Sequence, residues 1–356
     1  MYEVGVYSHN ERKEVFHPFV HHICSLSPCS HQYHLDKPLS WYYSWFPKPG
    51  NFLASGGLMT GEASPGYLPY PEVTQAVKKT MPGRPKIVMV GREPIDRSWS
   101  SYRYNYIHPT IEYLRKGHGA RMGIRSQQPD EYYEPYLFSF EDMILAELDI
   151  LEECFAPGGH GEKATAAKWF HKAWPKAEIE RRSKERLPPL IDLDGVCYGG
   201  KVDSKILRKQ WTKLQTLHPE KVIAPNNLFL TQAIIGRSLY VFPLEWWYFQ
   251  FPKDDIYFVC TEELSDMSGE SMNQVALHLG LPAHNFSSIV AEGAYNVGGH
   301  RGYDTATSWE EVAEEEKTEQ VKPPIPLTEE TRARLQAFVN PYNERLFELT
   351  GRRCDW

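Results

Sequence analysis

The sequence predicts an α/β domain built on a parallel sheet. Three observations carry this. Two short, wholly apolar runs, Ile87-Val88-Met89-Val90 and Ile256-Tyr257-Phe258-Val259, have the profile of strands buried on both faces. Each is followed by a segment with helical spacing. Neither an internal repeat nor a linker divides the 356 residues, which therefore read as one domain over 1–356.

Taken in order, residues 9–16 suit the tail of a helix, and 24–38, rich in Ser, Cys, His and Pro, suit a loop. The aromatic run 40–47 reads as packed, and 51–57 as a turn. The first strand, flanked by Pro85-Lys86 and Gly91, feeds a helix over 94–106, with Pro94 tolerated in its first turn. Residues 111–135 are polar and rich in Gly and Tyr, and are expected to be an inserted loop. Phe140, Met143, Ile144, Leu148 and Leu151 give 138–154 a helical stripe. A basic helix interrupted at Pro175 is expected over 163–186, and an aromatic helix over 226–251. After the second strand come a helix over 270–280, a Gly-rich loop over 291–305 and an acidic, solvated stretch over 308–322. A final helix over 328–349 ends at Gly351.

Composition narrows the classes. A net charge of −7 lacks the basic footprint of a duplex-binding protein, so no nucleic acid partner is expected. No run of about 18 apolar residues occurs, so no membrane span is expected in this sequence. Residues 1–19 lack the apolar core of a signal peptide. Cys24 and Cys29 could close a small loop, whereas Cys154, Cys197, Cys260 and Cys354 are scattered. No Cys pair with a matching His pair is spaced for zinc, and no metal is expected. Asn285-Phe286-Ser287 is a glycosylation sequon, a triplet that chance also produces.

The chemistry concentrates after the first strand, in Gly91-Arg92-Glu93-Pro94-Ile95-Asp96-Arg97-Ser98-Trp99-Ser100-Ser101-Tyr102. A strand end feeding a helix is a natural anion site in an open α/β sheet. Arg92 offers a planar, bidentate clamp for phosphate, and the Ser100 hydroxyl, two turns into the helix, can complete it. The plainer alternative is an arginine paired with a nearby carboxylate and a serine on a solvated face.

The full spacing, Arg-x-Pro-x-x-Arg-x-x-Ser-x-Tyr, resembles the 3′-phosphate motif of sulfotransferases that use PAPS (3′-phosphoadenosine 5′-phosphosulfate). Upstream, Gly61-Glu62-Ala63-Ser64-Pro65 is similar to a segment of Golgi glycan sulfotransferases. Its alanine form resembles the branch that adds 6-sulfate to 4-sulfated N-acetylgalactosamine. Leu239-Tyr240 through Trp247, the second strand with Glu262-x-Leu264, and Leu327 through Leu346 resemble the family's later elements in the same order. The likeness runs over roughly 15–351, with 111–230 unmatched and suited to an insertion or acceptor region.

The resemblance implies a P-loop-like single domain with a central parallel sheet flanked by helices. It implies PAPS as sulfuryl donor, a glycan acceptor of glycosaminoglycan type, such as chondroitin, and a place in the Golgi lumen. It assigns the 3′-phosphate to Arg92 and Ser100, and a nucleotide-closing loop to His300, Arg301 and Gly302. Glycines there let backbone N–H groups approach phosphate, although a surface turn has the same composition.

Two departures stand out. The family's Pro-Lys-x-Gly-Thr-Thr phosphosulfate loop should fall at or before residues 1–8, where only Gly5 matches. The chain is thus expected either to be part of a longer active enzyme, as the intact remainder favours, or to be an impaired nucleotide- or glycan-binding relative. The general base is the second. A base must take the acceptor's proton during in-line displacement. Candidates are His21, His22, His31, His34 and Glu62, with Glu62 and His22 ranked first. The 163–186 segment, with eight basic and three acidic residues, would suit an acidic glycan or form a solvated helix face. A nucleotide kinase would need Gly-x-x-x-x-Gly-Lys-Ser/Thr, which is absent.

Overall fold

The computed structural model describes residues 84–156, 205–224, 234–265, 269–287 and 325–356, with shorter pieces at 3–6, 40, 44, 61–63, 67–68, 73–74, 77–78 and 81. Four strands form one sheet: β1 (Glu3–Val6), β2 (Gly61–Ala63), β3 (Ile87–Gly91) and β4 (Ile256–Cys260), in the order β2-β1-β3-β4. The two apolar runs are β3 and β4. They pair in parallel, with Ile87 opposite Ile256 and Gly91 opposite Cys260. β1 runs antiparallel to both β2 and β3. The sheet is therefore mixed: the parallel sheet expected from sequence is present as the β3–β4 pair, and β1 and β2 add antiparallel pairings. β1 is also not the parallel strand from which a phosphosulfate loop would spring.

The pleat explains why β3 reads as continuously apolar. Successive side chains point to opposite faces, and both faces are covered. Ile87 and Met89 join Ile256 and Phe258 in the main core, while Val88, Val90 and Val259 form a smaller cluster on the other face. Val275, Leu264 and Leu279 cover that second face.

The described parts of the connection from β3 to β4 are largely helical. α1 (Pro94–Tyr102) continues through a π-type turn at Arg103–Ile107 into α2 (His108–Tyr113). α3 (Phe140–Phe155) starts at a capping box in which Ser139 and Asp142 satisfy each other's backbone N–H groups. α4 (Lys205–Leu217) and α5 (Val241–Gln250) follow. After β4 come α6 (Glu270–His278) and α7 (Glu329–Thr350), the latter ended by left-handed Gly351 at φ 72°. The expected helices over 138–154, 270–280 and 328–349 correspond to α3, α6 and α7.

Two expectations change. Residues 111–135 are not an open loop: α2, a second π-type turn at Leu114–His118 and short helical turns at Ala120–Met122 and Asp130–Tyr136 occupy them. Ile111, Leu114, Ile124 and Tyr133 are buried there. The wholly buried Tyr106 ties this region down: its hydroxyl donates to the Val222 carbonyl (2.7 Å) and accepts from the Phe138 N–H (2.8 Å). The apolar residues are too widely spaced to show a helical stripe, so composition misled. The aromatic helix expected over 226–251 begins only at Val241, after a helical turn at Gly236–Ser238. The basic segment 163–186 lies outside the described residues.

Candidate functional site

The C-terminal end of β3 meets the start of α1 at Gly91-Arg92-Glu93. Neighbours hold each of these three residues. The Gly91 carbonyl accepts the Thr261 hydroxyl at 2.8 Å. A Cβ on Gly91 would fall 2.3 Å from Phe258 Cζ and 3.1 Å from Trp356 Cη2, so only glycine fits. The Arg92 backbone is held at both ends by Tyr240, whose hydroxyl accepts the Arg92 N–H (3.2 Å) and donates to the Arg92 carbonyl (3.0 Å). The Glu93 N–H donates to Glu262 Oε1 at 3.1 Å.

Glu93 caps α1. Its carboxylate accepts the Asp96 N–H at 2.6 Å, and Pro94 occupies the next position, where the missing N–H costs nothing. The Asp96 N–H, a first-turn donor, is therefore taken by the protein's own carboxylate, on which the Ile95 N–H also acts. Burial raises the Glu93 carboxyl above its ordinary range, while the Asp96 N–H pulls it back down. An anion at this turn would accordingly meet Arg92 and the exposed flank of α1, rather than the N-terminus of the helix.

The Arg92 side chain is half exposed. It makes one 3.3 Å bond, from Nη2 to Asp96 Oδ2 one turn on. The pairing anticipated as the plainer alternative thus exists, in an exposed i, i+4 form. Such pairs are weak, and the rest of the guanidinium fork makes no hydrogen bond to the described residues. Ser100 lies on the exposed face of α1. It sits seven residues beyond the cap, about 10.5 Å along the axis.

Behind the turn, α1 is locked to the chain before Tyr240. Arg97 Nη1 donates to the Ile234 carbonyl at 2.6 Å. The carboxylate of Glu147, wholly buried in α3, accepts the N–H groups of Ile234 (2.7 Å), Ile235 (2.9 Å) and Gly236 (2.9 Å). Burial pushes this carboxyl up to about 7, while the three N–H donors and the Arg97 charge pull it down. The same shelf leads into Tyr240, so Glu147 indirectly supports the hydroxyl that holds Arg92.

A groove of about 570 Å³ runs along the other flank of α1. Trp99, Arg103, His108 and Lys221 line it together with Asp130, Glu131, Glu134 and Asp142. Trp99 immediately precedes Ser100 and Arg103 lies three residues after it, so the groove is lined by close helical neighbours of Ser100.

The structure thus places Arg92 and Ser100 on one strand–turn–helix unit. Glu62 lies in β2, opposite Gly5, at the sheet edge, two strands from β3. His22, the other histidine candidates, His300, Arg301 and Gly302 lie outside the described residues. Sequence reasoning missed Asp96, Glu147 and Trp356. Asp96 carried a readable signal, the i, i+4 spacing from Arg92. The other two act through contacts distant in sequence. Among the described residues no group of three His, Cys, Asp or Glu side chains is placed to hold a metal, and no helix is long and apolar enough to cross a membrane.

Of the cysteines scattered along the sequence, Cys260, at the end of β4, is disulfide-bonded to Cys354, 94 residues on.

This mixed helix-and-sheet architecture, with a parallel pair ending in an arginine-bearing turn, is compatible with an α/β sulfotransferase fold. The chain is 23% identical over 342 residues to the membrane-associated sulfotransferase kil1 of Dictyostelium discoideum. That match covers 91% of this chain and 60% of that protein, so the chain spans about 60% of the length of the curated relative it matches. No family model matches the chain. The likeness is distant, and it supports a relationship to sulfotransferases in general.

Proposed function

We propose that this protein binds the 3′-phosphate of PAPS at Arg92 and Ser100, and transfers the sulfuryl group to a glycan hydroxyl by in-line displacement. The observation that carries the reading is the half-exposed Arg92 at the end of β3, most of whose fork makes no hydrogen bond to the described residues, leading into a helix that exposes Ser100. A planar guanidinium and a hydroxyl suit a phosphate monoester. The distant likeness to a sulfotransferase supports the same direction.

Arg92 orients the donor by its 3′-phosphate, so that the sulfur faces the acceptor oxygen. Carboxylates crowd the described part of the turn: Glu93, Asp96 and Glu262 lie about Arg92, whose guanidinium is already paired with Asp96. Further positive charge is therefore needed around a bound phosphate, and we assign it to Arg301 and His300 in the Gly-rich loop. The acceptor hydroxyl loses its proton to a base, for which Glu62 and His22 are the proposed candidates.

For the acceptor, the groove beside α1 pairs the Trp99 ring with carboxylates and two cationic side chains. Such a lining suits the hydroxyls and apolar face of a sugar ring. The finer assignments are a chondroitin-type acceptor of the N-acetylgalactosamine 4-sulfate 6-O-sulfotransferase branch and a Golgi location. They rest on Gly61 through Pro65 and are part of this proposal.

The test is calorimetric binding of adenosine 3′,5′-bisphosphate to the protein, beside Arg92→Ala. A marked loss in the variant supports the reading. A folded protein that binds no nucleotide would favour the impaired, glycan-binding alternative, and equal binding by both proteins would refute the assignment of Arg92.

A further inference from the structure

We propose that Glu262 and Trp356 are positioning residues of the nucleotide site, forming a relay that fixes the direction in which Arg92 presents its guanidinium. This rests on the reading that Arg92 binds the 3′-phosphate. The relay is continuous. Glu262 Oε1 accepts the Glu93 N–H at 3.1 Å, and Glu262 Oε2 accepts the Trp356 Nε1–H at 3.0 Å. The indole packs against Tyr240 (centroids 5.8 Å), Phe258 (6.3 Å) and Phe347 (5.6 Å). Its Cη2 lies where it bounds the space beside Gly91.

The segment carrying Trp356 is itself tied down. Two residues before it, Cys354 is bonded to Cys260, which stands opposite Gly91 in the β3–β4 register. Beside it, Arg352 Nη1 donates to the Tyr257 hydroxyl (2.6 Å) and Arg352 Nη2 to Glu263 (2.7 Å). The indole therefore has little freedom to move away from the turn. An indole donor on one carboxylate oxygen and a backbone donor on the other fix the orientation of Glu262. Glu262 in turn fixes the peptide that follows Arg92.

A misdirected bidentate clamp loses affinity steeply, so a support of this kind matters most for the ligand group that Arg92 touches. The relay should therefore act on recognition of the 3′-phosphate and leave the remainder of the nucleotide unaffected. It adds to the Tyr240 bonds, which hold Arg92 itself, a separate restraint on the next residue.

The experiment compares adenosine 3′,5′-bisphosphate with adenosine 5′-monophosphate on the native protein, Glu262→Gln and Trp356→Phe. Trp356→Phe keeps an aromatic ring but removes the N–H. Both variants should weaken the bisphosphate about fivefold, the net worth of one typical hydrogen bond, and leave the monophosphate unchanged. Amide exchange should quicken at Arg92 and Glu93 and stay constant over Ile144–Leu151 in α3. Unchanged exchange at the turn overturns the relay. Equal weakening of both ligands, or of neither, in variants whose turn has loosened overturns its role in 3′-phosphate recognition. A native protein that binds neither ligand instead sinks the donor-site reading, and this inference with it.

Discussion

The Tyr240 hydroxyl spends both of its hydrogen bonds on the backbone of one residue, accepting the Arg92 N–H and donating to the Arg92 carbonyl. The phenol is buried, and burial raises its pKa, so it remains a neutral donor. Removing the oxygen leaves two backbone groups without a partner. Tyr240→Phe should cost about 1–3 kcal/mol in urea denaturation and weaken adenosine 3′,5′-bisphosphate. A variant of native stability and affinity would show that the turn holds itself.

Arg92 and Asp96 form an exposed i, i+4 pair at 3.3 Å. A phosphate ligand competes with that carboxylate for the guanidinium. Asp96→Asn should therefore tighten adenosine 3′,5′-bisphosphate by about twofold to fivefold, while Arg92→Ala weakens it about tenfold or more. Calorimetry reads both. Tighter binding by the asparagine variant would be hard to reconcile with a purely structural Arg92.

Glu147 titrates near 7 in the folded chain, above its ordinary 4.5. A raised folded value means that the fold favours the protonated form. The stability this group contributes is complete below about pH 4.5 and is lost as pH rises through about 7, on the order of 3 kcal/mol in all. Denaturation across that window should show this falling slope, and Glu147→Gln should flatten it. The variant should also be less stable at low pH, because an amide nitrogen would face the N–H groups at Ile234–Gly236.

Gly91 has no room for a methyl group, with Phe258 Cζ 2.3 Å from the would-be Cβ. Gly91→Ala should destabilise by about 1–3 kcal/mol through overpacking, and should disturb the Arg92 turn beside it. A thermal melt together with bisphosphate binding checks both effects.

The Cys260–Cys354 bond closes a long loop. Cys354→Ser, or reduction of the native protein, should lower stability by about 2–4 kcal/mol. Equal denaturation midpoints with and without reductant would show the bond to be absent in solution.

Much of this architecture is legible in the amino-acid order. β3 and β4 announce themselves as unbroken apolar runs because both faces of the parallel pair are covered. The final helix is bracketed by Thr328, whose hydroxyl accepts the Thr331 N–H, and by Gly351. The Arg92-to-Ser100 spacing marks the proposed phosphate site in the sequence itself. What stayed hidden depends on contacts made across the chain. Nothing local marks Glu147 as the acceptor for three N–H groups nearly 90 residues away, or Trp356 as a neighbour of Gly91. The direction of β1 was equally invisible, since a four-residue strand carries no label of parallel or antiparallel. Polar composition concealed the packed turns of 111–135, whose order comes from a few buried rings such as Tyr133 and from the bonds of Tyr106.

The bond between Cys260 and Cys354 makes residues 260–354 a covalent ring, and His300 and Arg301 lie on it. A single protease cut anywhere within that ring would leave the fragments joined. The nicked protein would run as one band on a non-reducing gel and separate into two pieces only when reductant is added.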